Sequence, residues 1–317
     1  MNSIGARRIV IDTDPGVDDC MAILLAFCSP ELHIDALTTV FGNSGTTITT
    51  ENALRLVEMS GRPNLIVARG AETPMMRPFT GEGWRVHGRN GLGGQNYPAP
   101  IIQADRQRAA EVIVKLVMSN PGEITIVALA PLTNIALAVM LEPLIATNIK
   151  ELVLMGGAIS VRGNASAVAE ANFRNDPEAA AIVFSAAWPI VMVGLDVTLK
   201  TVMDDVFLSE LKRSGGRYAD LIFSITRHYI DYCRSQGLSA MPVHDPSAIA
   251  YVVDPSLFTS EPMFVDIEHQ SPHHHGMSVA DWRGQRGNKP NCRVCVDVDS
   301  VRLLSMFRDR LTIGKPP

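Results

Sequence analysis

Six short runs of β-branched and aliphatic residues recur along the chain, each followed by a turn and then by apolar residues at helical spacing. The runs are RRIVIDTD (7–14), HIDALTTVFGN (33–43), NLIVARG (64–70), EITIVALAP (123–131), KELVLMGG (150–157) and PIVMVGLD (189–196). The helical stretches TTENALRLVEMSG (49–61), RAAEVIVKLVMSN (108–120), PLTNIALAVMLEP (131–143) and DPEAAAIVFSAA (176–187) close on or near Gly, Asn or Pro. Strands that alternate with helices need crossover connections, which predicts an α/β fold with a mainly parallel sheet covered on both faces. The regular order holds up to about Asp196. Two stretches interrupt it, TGEGWRVHGRNGLGGQNYPAP (80–100) and SPHHHGMSVADWRGQRGNKPN (271–291). Neither has the composition of a separate domain, so both are read as loops on one scaffold and a single domain is expected over residues 1–317.

Charge narrows the partners. The chain of 317 residues has 28 Lys and Arg against 33 Asp and Glu, a net charge of -5, and so no broad field attractive to phosphate backbones. No nucleic-acid partner is expected. The opening MNSIGARRIV has no apolar run of signal-peptide length, and no later segment reaches 18 uninterrupted apolar residues, so the expectation is a cytoplasmic protein without a membrane partner. Five cysteines, an odd number, fit free thiols in a reducing compartment better than a disulfide framework.

The stretch VIDTDPGVDDCMAILLAF (10–27) carries the chemistry. It opens as an apolar strand, crosses Asp12, Asp14, Asp18 and Asp19, and becomes an almost wholly apolar helix. Ligands collect at the carboxyl ends of the strands in an open parallel sheet, and Asp12 and Asp14 fall at such an end. Pro15-Gly16 forces a tight turn, which places Asp18 and Asp19 in the first helical turn, where one of them can serve as an N-cap. Capping accounts for one or two of the four. Four carboxylates in one short turn repel each other unless a cation sits among them, and an oxygen-only set favours Ca2+ or Mg2+ over zinc. A D-x-D at a strand end also opens haloacid-dehalogenase-type phosphatases, with Asp12 as nucleophile, but Gly16 stands where those have Thr or Val. G-x-G-x-x-G, Walker A, G-x-S-x-G and H-E-x-x-H patterns are all missing.

DTDPGVDD at this turn resembles the signature of the inosine-uridine-preferring nucleoside hydrolases, which cleave the N-glycosidic bond of ribonucleosides. The likeness continues in order through FGN (41–43), VHGRNGLGG (86–94), LAPLTN (129–134), VLMGGA (153–158), GNASAVAEANFRNDPEAA (163–180) and PVHDP (242–246). It spans nearly the whole chain. It implies a single-domain, Rossmann-like fold with a mixed, mainly parallel sheet, a homodimer or homotetramer, and a role in nucleoside salvage. The substrate implied is a small-molecule ribonucleoside, inosine, uridine or a relative of these.

Transferred residue by residue, the resemblance makes Asp14 a Ca2+ ligand and the base that deprotonates the attacking water. Asp19, Asp245 and the Leu129 carbonyl are implied as further ligands. Asp18 is implied as the acceptor of the ribose 2'-hydroxyl, with Asn43, Met155, Asn164, Glu170 and Asn172 holding the sugar and Asp12 bracing the turn. Ca2+ acidifies water less than zinc does, which is why an adjacent carboxylate base is needed. Breaking the C–N bond makes the ribose oxocarbenium-like, and nearby carboxylates and amide oxygens stabilise that charge. His244 is the implied group at the leaving base, with His87 and, on the presumed helix FSITRHYIDYC (223–233), His228 and Tyr232 around it; active-site loops are expected near 79–97 and 221–241.

Two departures stand out. Ala130 replaces a Gly frequent in the family, a small change beside the implied carbonyl ligand. His244 stands where purine-specific members have Trp, which argues against that subgroup. The alternatives kept beside the hydrolase are a Mg2+-dependent phosphatase using Asp12 and a ribose- or nucleoside-binding protein without turnover. Cys292 and Cys295 form one C-x-x-C without a second pair and lie in a strand-like segment, and His273–His275 read as a turn tip. Trp84 and Trp282 are candidates either for stacking on a base or for loop-edge packing.

Overall fold

The computed structural model describes residues 5–313 except residue 82, so Glu82 of the expected loop 79–97 and residues 1–4 and 314–317 of the expected domain lie outside the described residues. All six apolar runs form strands: β1 (Arg7–Thr13), β2 (Leu32–Thr39), β3 (Ile66–Arg69), β4 (Thr125–Ala128), β5 (Glu151–Met155) and β6 (Ile190–Val193). After them come β7 (Val202–Met203), β8 (Met241–Pro242), β9 (Phe258–Met263), β10 (Val265–Glu268), β11 (Met277–Ala280) and β12 (Cys292–Val298). Eight of these make one sheet in the order β3-β2-β1-β4-β5-β6-β12-β9. Every pairing in it is parallel except β12 with β9, which is antiparallel. The sheet is thus mixed and mainly parallel, and its first six strands follow the doubly wound order.

Period-two alternation splits the core between the two faces of the sheet. On β1, Ile9 and Ile11 pack into one cluster with the helices Val17–Phe27, Ala219–Ser235 and Asp245–Val253, whereas Val10 packs into the other with Ala109–Ser119, Thr133–Leu141 and Pro177–Ser185. All eleven residues of the helix Val17–Phe27 are buried: Asp18 and Asp19 in its first turn, and from Cys20 on a sequence apolar all round. Each large aliphatic side chain taken out of water there contributes about 1.5–3 kcal/mol.

Strand order reverses at β1, which lies between β2 and β4, and ligand crevices open at such a reversal. The acidic turn leaves the carboxyl end of β1 there. Leu129 follows β4, and its N–H donates to the Asp12 carbonyl at 2.7 Å, extending the ladder one residue into the crevice.

Three expectations need correction. The loop expected near 221–241 is mainly the helix Ala219–Ser235, which takes in the presumed helix 223–233 and whose buried positions 219, 221, 222, 225, 226, 229, 230 and 233 follow helical spacing. The polar stretch 271–291 is not all loop: Met277–Ala280 pairs with β10 as an antiparallel hairpin. Neither Asp18 nor Asp19 is the N-cap of the first helix, because Gly16 holds that position and Asp19 reaches back to it from the third helical residue.

Candidate active site

Two helix starts meet at the crevice. Asp18 and Asp19 lie in the first turn of Val17–Phe27, and Asp245 is the first residue of Asp245–Val253, which packs against that helix. Helix N-termini favour negative charge, so each helix places its carboxylates where its own dipole stabilises them. Ligand oxygens of Asp18, Asp19 and Asp245 all lie within 4.8 Å of one another. The expected ligand set of Asp14, Asp19 and Asp245 left Asp18 to the sugar; the geometry gathers Asp18 with Asp19 and Asp245, and Asp14 is not among these three.

Asp19 is the braced member. Its Oδ1 accepts from Thr13 Oγ1 at 2.5 Å and from the Asp14 amide at 3.1 Å. Its Oδ2 accepts from the Gly16 amide at 3.0 Å and from Asn43 Nδ2 at 2.8 Å. Asp14 Oδ2 accepts from the Asn43 amide. By contrast Asp14 Oδ1 and Asp18 Oδ1, both buried, have no hydrogen-bond partner among the described residues. Asp12 turns to the other face, where its Oδ1 accepts from Thr38 Oγ1 at 2.6 Å and Asn134 Nδ2 at 2.8 Å, a bracing position away from the trio.

Burial, then the charge of neighbouring aspartates, pushes the carboxyls of Asp14 and Asp245 well above the usual range. The same causes raise Asp18 to about 8, and burial raises Asp12 to about 7. These groups resist ionising together, the behaviour of a site built around a cation. An all-oxygen set with two orphaned buried carboxylate oxygens suits a hard divalent ion. Two glycines make the crowding possible. A Cβ on Gly42 would lie 1.9 Å from Asp14 Oδ2, and one on Gly16 would lie 2.6 Å from Asn43 Nδ2 and 2.7 Å from His87 Nδ1.

Asn172 ties the neighbouring strands together. Its Nδ2 donates to the Leu129 carbonyl at 2.9 Å and the Met155 carbonyl at 3.0 Å, bridging the ends of β4 and β5. A carbonyl has two lone pairs, so Leu129 keeps one for a ligand. Glu170 caps the short helix Ala171–Asn175 by accepting from the amides of Asn172 (2.9 Å) and Phe173 (3.3 Å), and it also accepts from Gly157 at 3.0 Å. Burial raises its carboxyl. Asn164 is exposed, and its Oδ1 accepts from the Ala171 amide at 2.9 Å, so it anchors this segment from outside.

The base-side residues are held differently. His87 is buried, and its Nδ1 accepts from the Val17 amide at 3.1 Å, which places its hydrogen on Nε2. Asp18 Oδ1 lies 3.6 Å from the same nitrogen, but no ion pair forms, because burial lowers His87 to about 3 and the ring is neutral. His244 is buried, lowered to about 4 by burial, and its Nδ1 lies 2.8 Å from Thr198 Oγ1. His228 is half-buried and its Nε2 meets the Arg85 carbonyl at 3.1 Å, fastening helix Ala219–Ser235 to the 80–94 segment. Tyr232 is half-buried on the flank of that helix. The residue on its inward face is Tyr229, which packs edge-on against His87 at 5.6 Å and lies in the field of Asp18 and Asp245. Helical spacing from Ile222 and Ile225 points to Tyr229 rather than Tyr232.

The remaining motifs stay outside the site. Cys292 and Cys295 are free, buried in β12, and pushed up to about 12 by burial, so they are not reactive thiols. Among the described residues the aspartate trio is the one acidic, His or Cys group with metal-holding geometry, and the His273–His275 turn forms none. Trp84 is exposed beneath the guanidinium groups of Arg85 and Arg89, and Trp282 is exposed. No described helix is long and apolar enough to cross a membrane.

Comparison with known proteins gives a consistent result. The family model described as "Inosine-uridine preferring nucleoside hydrolase" matches residues 9–305. The protein of that name from Crithidia fasciculata is 40% identical over 314 residues, covering 98% of this chain and 99% of that one. Uridine nucleosidase 1 of Arabidopsis thaliana is 42% identical over 265 residues, covering 83% and 79%. Among solved structures, the purine-preferring ribonucleoside hydrolase from Gardnerella vaginalis superposes with a TM-score of 0.92 at 31% identity, covering 96% of this chain and 98% of that one.

Proposed function

The chain belongs to the inosine-uridine preferring nucleoside hydrolases, N-glycosyl hydrolases of ribonucleosides, and from that premise we propose that its hydrolysis depends on one Ca2+ held by the acidic turn. The observation that carries this reading is the buried quartet Asp14, Asp18, Asp19 and Asp245 at the strand-order reversal, with two carboxylate oxygens left without partners. Asp14, Asp19, Asp245 and the Leu129 carbonyl hold the ion. When bound it neutralises the carboxylates, anchors ribose hydroxyls and makes water more acidic.

The protein's own groups supply the rest. Asp14 takes a proton from the attacking water, whose oxygen bonds to the anomeric carbon as the C–N bond breaks and its electron pair leaves with the base. Asp18 accepts from the 2'-hydroxyl, while Asn43, Met155, Glu170 and Asn172 orient the sugar and Asn164 holds the segment that carries Glu170 and Asn172. Glu170 and the amide oxygens stabilise positive charge as it develops on the ribose. His244 serves the leaving base, with His87 and Tyr229 beside it and His228 and Tyr232 at the rim. Inosine, uridine or related ribonucleosides are the substrates of this reading. A homodimer or homotetramer acting in the cytoplasm in nucleoside salvage completes it, consistent with five free cysteines.

Asp12 fits the phosphatase alternative poorly: it is fully buried, its Oδ1 is held by Thr38 and Asn134, and its Oδ2, without a partner among the described residues, lies outside the aspartate trio. The test is base release from inosine, adenosine, guanosine, uridine and cytidine, with and without EGTA, for the native protein and Asp14→Ala. Activity abolished by EGTA and by the substitution supports the reading. Activity indifferent to both overturns it.

A further inference from the structure

We propose that Thr198 is a positioning residue that sets the tautomer of His244: its hydroxyl donates to Nδ1, so the imidazole carries its hydrogen on Nε2 for the departing base. The inference rests on the assignment of His244 to the base end of the site.

Thr198 Oγ1 lies 2.8 Å from His244 Nδ1, both residues are buried, and the hydroxyl makes no other hydrogen bond among the described residues. The usual partner of a histidine Nδ1 is a carbonyl or carboxylate, which only accepts and so forces the hydrogen onto Nδ1. A hydroxyl can donate instead. The direction follows from what the other nitrogen must face. As the glycosidic bond breaks, its electron pair collects on the base, and a bare Nε2 lone pair would repel that charge where an N–H would stabilise it. The His244 ring also lies in the field of His87, which already presents its own hydrogen on Nε2 through the Val17 amide. Both imidazoles are then held by donors at Nδ1, one from backbone and one from Thr198.

The scaffold places Thr198 without needing its hydroxyl. Thr198 ends the short helix Leu195–Thr198 after β6, and Asp196 within that helix accepts from the amides of Ile159 at 2.8 Å and Ser160 at 2.7 Å. Downstream, β7 pairs antiparallel with β8, Val202 opposite Pro242 and Met203 opposite Met241, and the Val243 amide donates to the Thr201 carbonyl at 2.9 Å. This ladder brings residues 46 apart in sequence into register.

The test compares the native protein with Thr198→Val, Thr198→Ala and Thr198→Ser on inosine, uridine and p-nitrophenyl riboside, whose leaving group departs as a stable anion without help. Removing the hydroxyl is expected to lower kcat on the nucleosides by about 3- to 12-fold, the kinetic equivalent of one hydrogen bond. KM and p-nitrophenyl riboside turnover stay unchanged, and Thr198→Ser restores the nucleoside rate. NMR of isotope-labelled histidine is expected to find His244 in the Nε2–H form. An equal loss on all three substrates, no loss on nucleosides, or an Nδ1–H tautomer in the native protein overturns the inference. If His244→Ala leaves nucleoside and p-nitrophenyl riboside rates in their native ratio, the assignment of His244 itself fails, which the tautomer measurement distinguishes.

Discussion

The two ends of the site are built to different standards. At the sugar and cation end, Asp14, Asp18, Asp19, Glu170, Asn172 and Asp245 are all buried and sit on strand ends and helix starts. Backbone amides and short side-chain bonds fix most of them, and Asp19 alone accepts four such bonds. At the base end His87 and His244 are buried, each with one hydrogen bond at Nδ1, whereas the rim is looser: His228 and Tyr232 are half-buried on a helix flank that the His228 to Arg85 bond joins to a glycine-rich segment. A ribose is the same in every ribonucleoside, so its contacts can be rigid, whereas a rim with few fixed bonds can be altered without disturbing the chemistry. The names of the relatives specify different bases: inosine and uridine, uridine, and purines.

The contrast can be broken first at Asp14. Its Oδ1 has no partner among the described residues, so Asp14→Asn is expected to keep the fold while kcat falls by about 100- to 10,000-fold, the span of a lost general base. A loss under tenfold, measured by base release, would remove the chemistry from this end. Next, Gly16→Ala strikes the junction of the two ends, because the added methyl meets Asn43 and His87. A cost of about 1–3 kcal/mol in urea unfolding is expected, and an unchanged midpoint would show that the 80–94 segment is not docked as described.

Stability against pH sharpens the same comparison. Asp12 and Asp18 titrate at about 7 and about 8 in the folded chain, above the ~3.9 of an unfolded aspartate. A raised carboxyl stabilises below its unfolded value, and that contribution is lost as pH rises through the folded value. His87 and His244, lowered to about 3 and about 4, act oppositely: their contribution is present above ~6.5 and lost as pH falls. Between pH ~6.5 and ~8.5 only the aspartates act, so the Ca2+-free protein should lose on the order of 1 kcal/mol per pH unit for each proton released. Calcium should flatten the share of Asp18, because ion-bound carboxylates are ionised in the folded chain as they are in the unfolded one, and thermal melts with and without it read the change in slope. The smallest effect is expected at the rim: His228→Ala should alter the ratio of purine to pyrimidine turnover by about 10-fold or less and leave the calcium response intact. A lost calcium response would mean that the two ends are not separate.

Much of the cation end was legible because its signal is local. An apolar strand, Pro15-Gly16 and four aspartates within one turn specify a strand-to-helix passage and an electrostatic problem together. Position in the doubly wound sheet then followed from strand alternation. Contacts over long separations were not legible in this way. Asp245 enters through the packing of two helices, and Thr198 faces His244 only through the β7–β8 register, which two-residue strands do not announce. Helix Ala219–Ser235 carries Arg, His and Asp on its outer flank beside Tyr232 and His228, whereas its buried positions run through Tyr229. The Met277–Ala280 strand was hidden because its partner β10 supplies the pairing that its glycine- and histidine-rich surroundings do not suggest.

The most direct test of the acidic turn strips the protein with EGTA, removes the chelator, and returns Ca2+ in measured amounts while following base release from inosine and uridine. Activity should vanish on stripping and rise linearly to a plateau at one Ca2+ per chain. Full turnover in the stripped protein, or recovery that needs no calcium, would contradict the cation site.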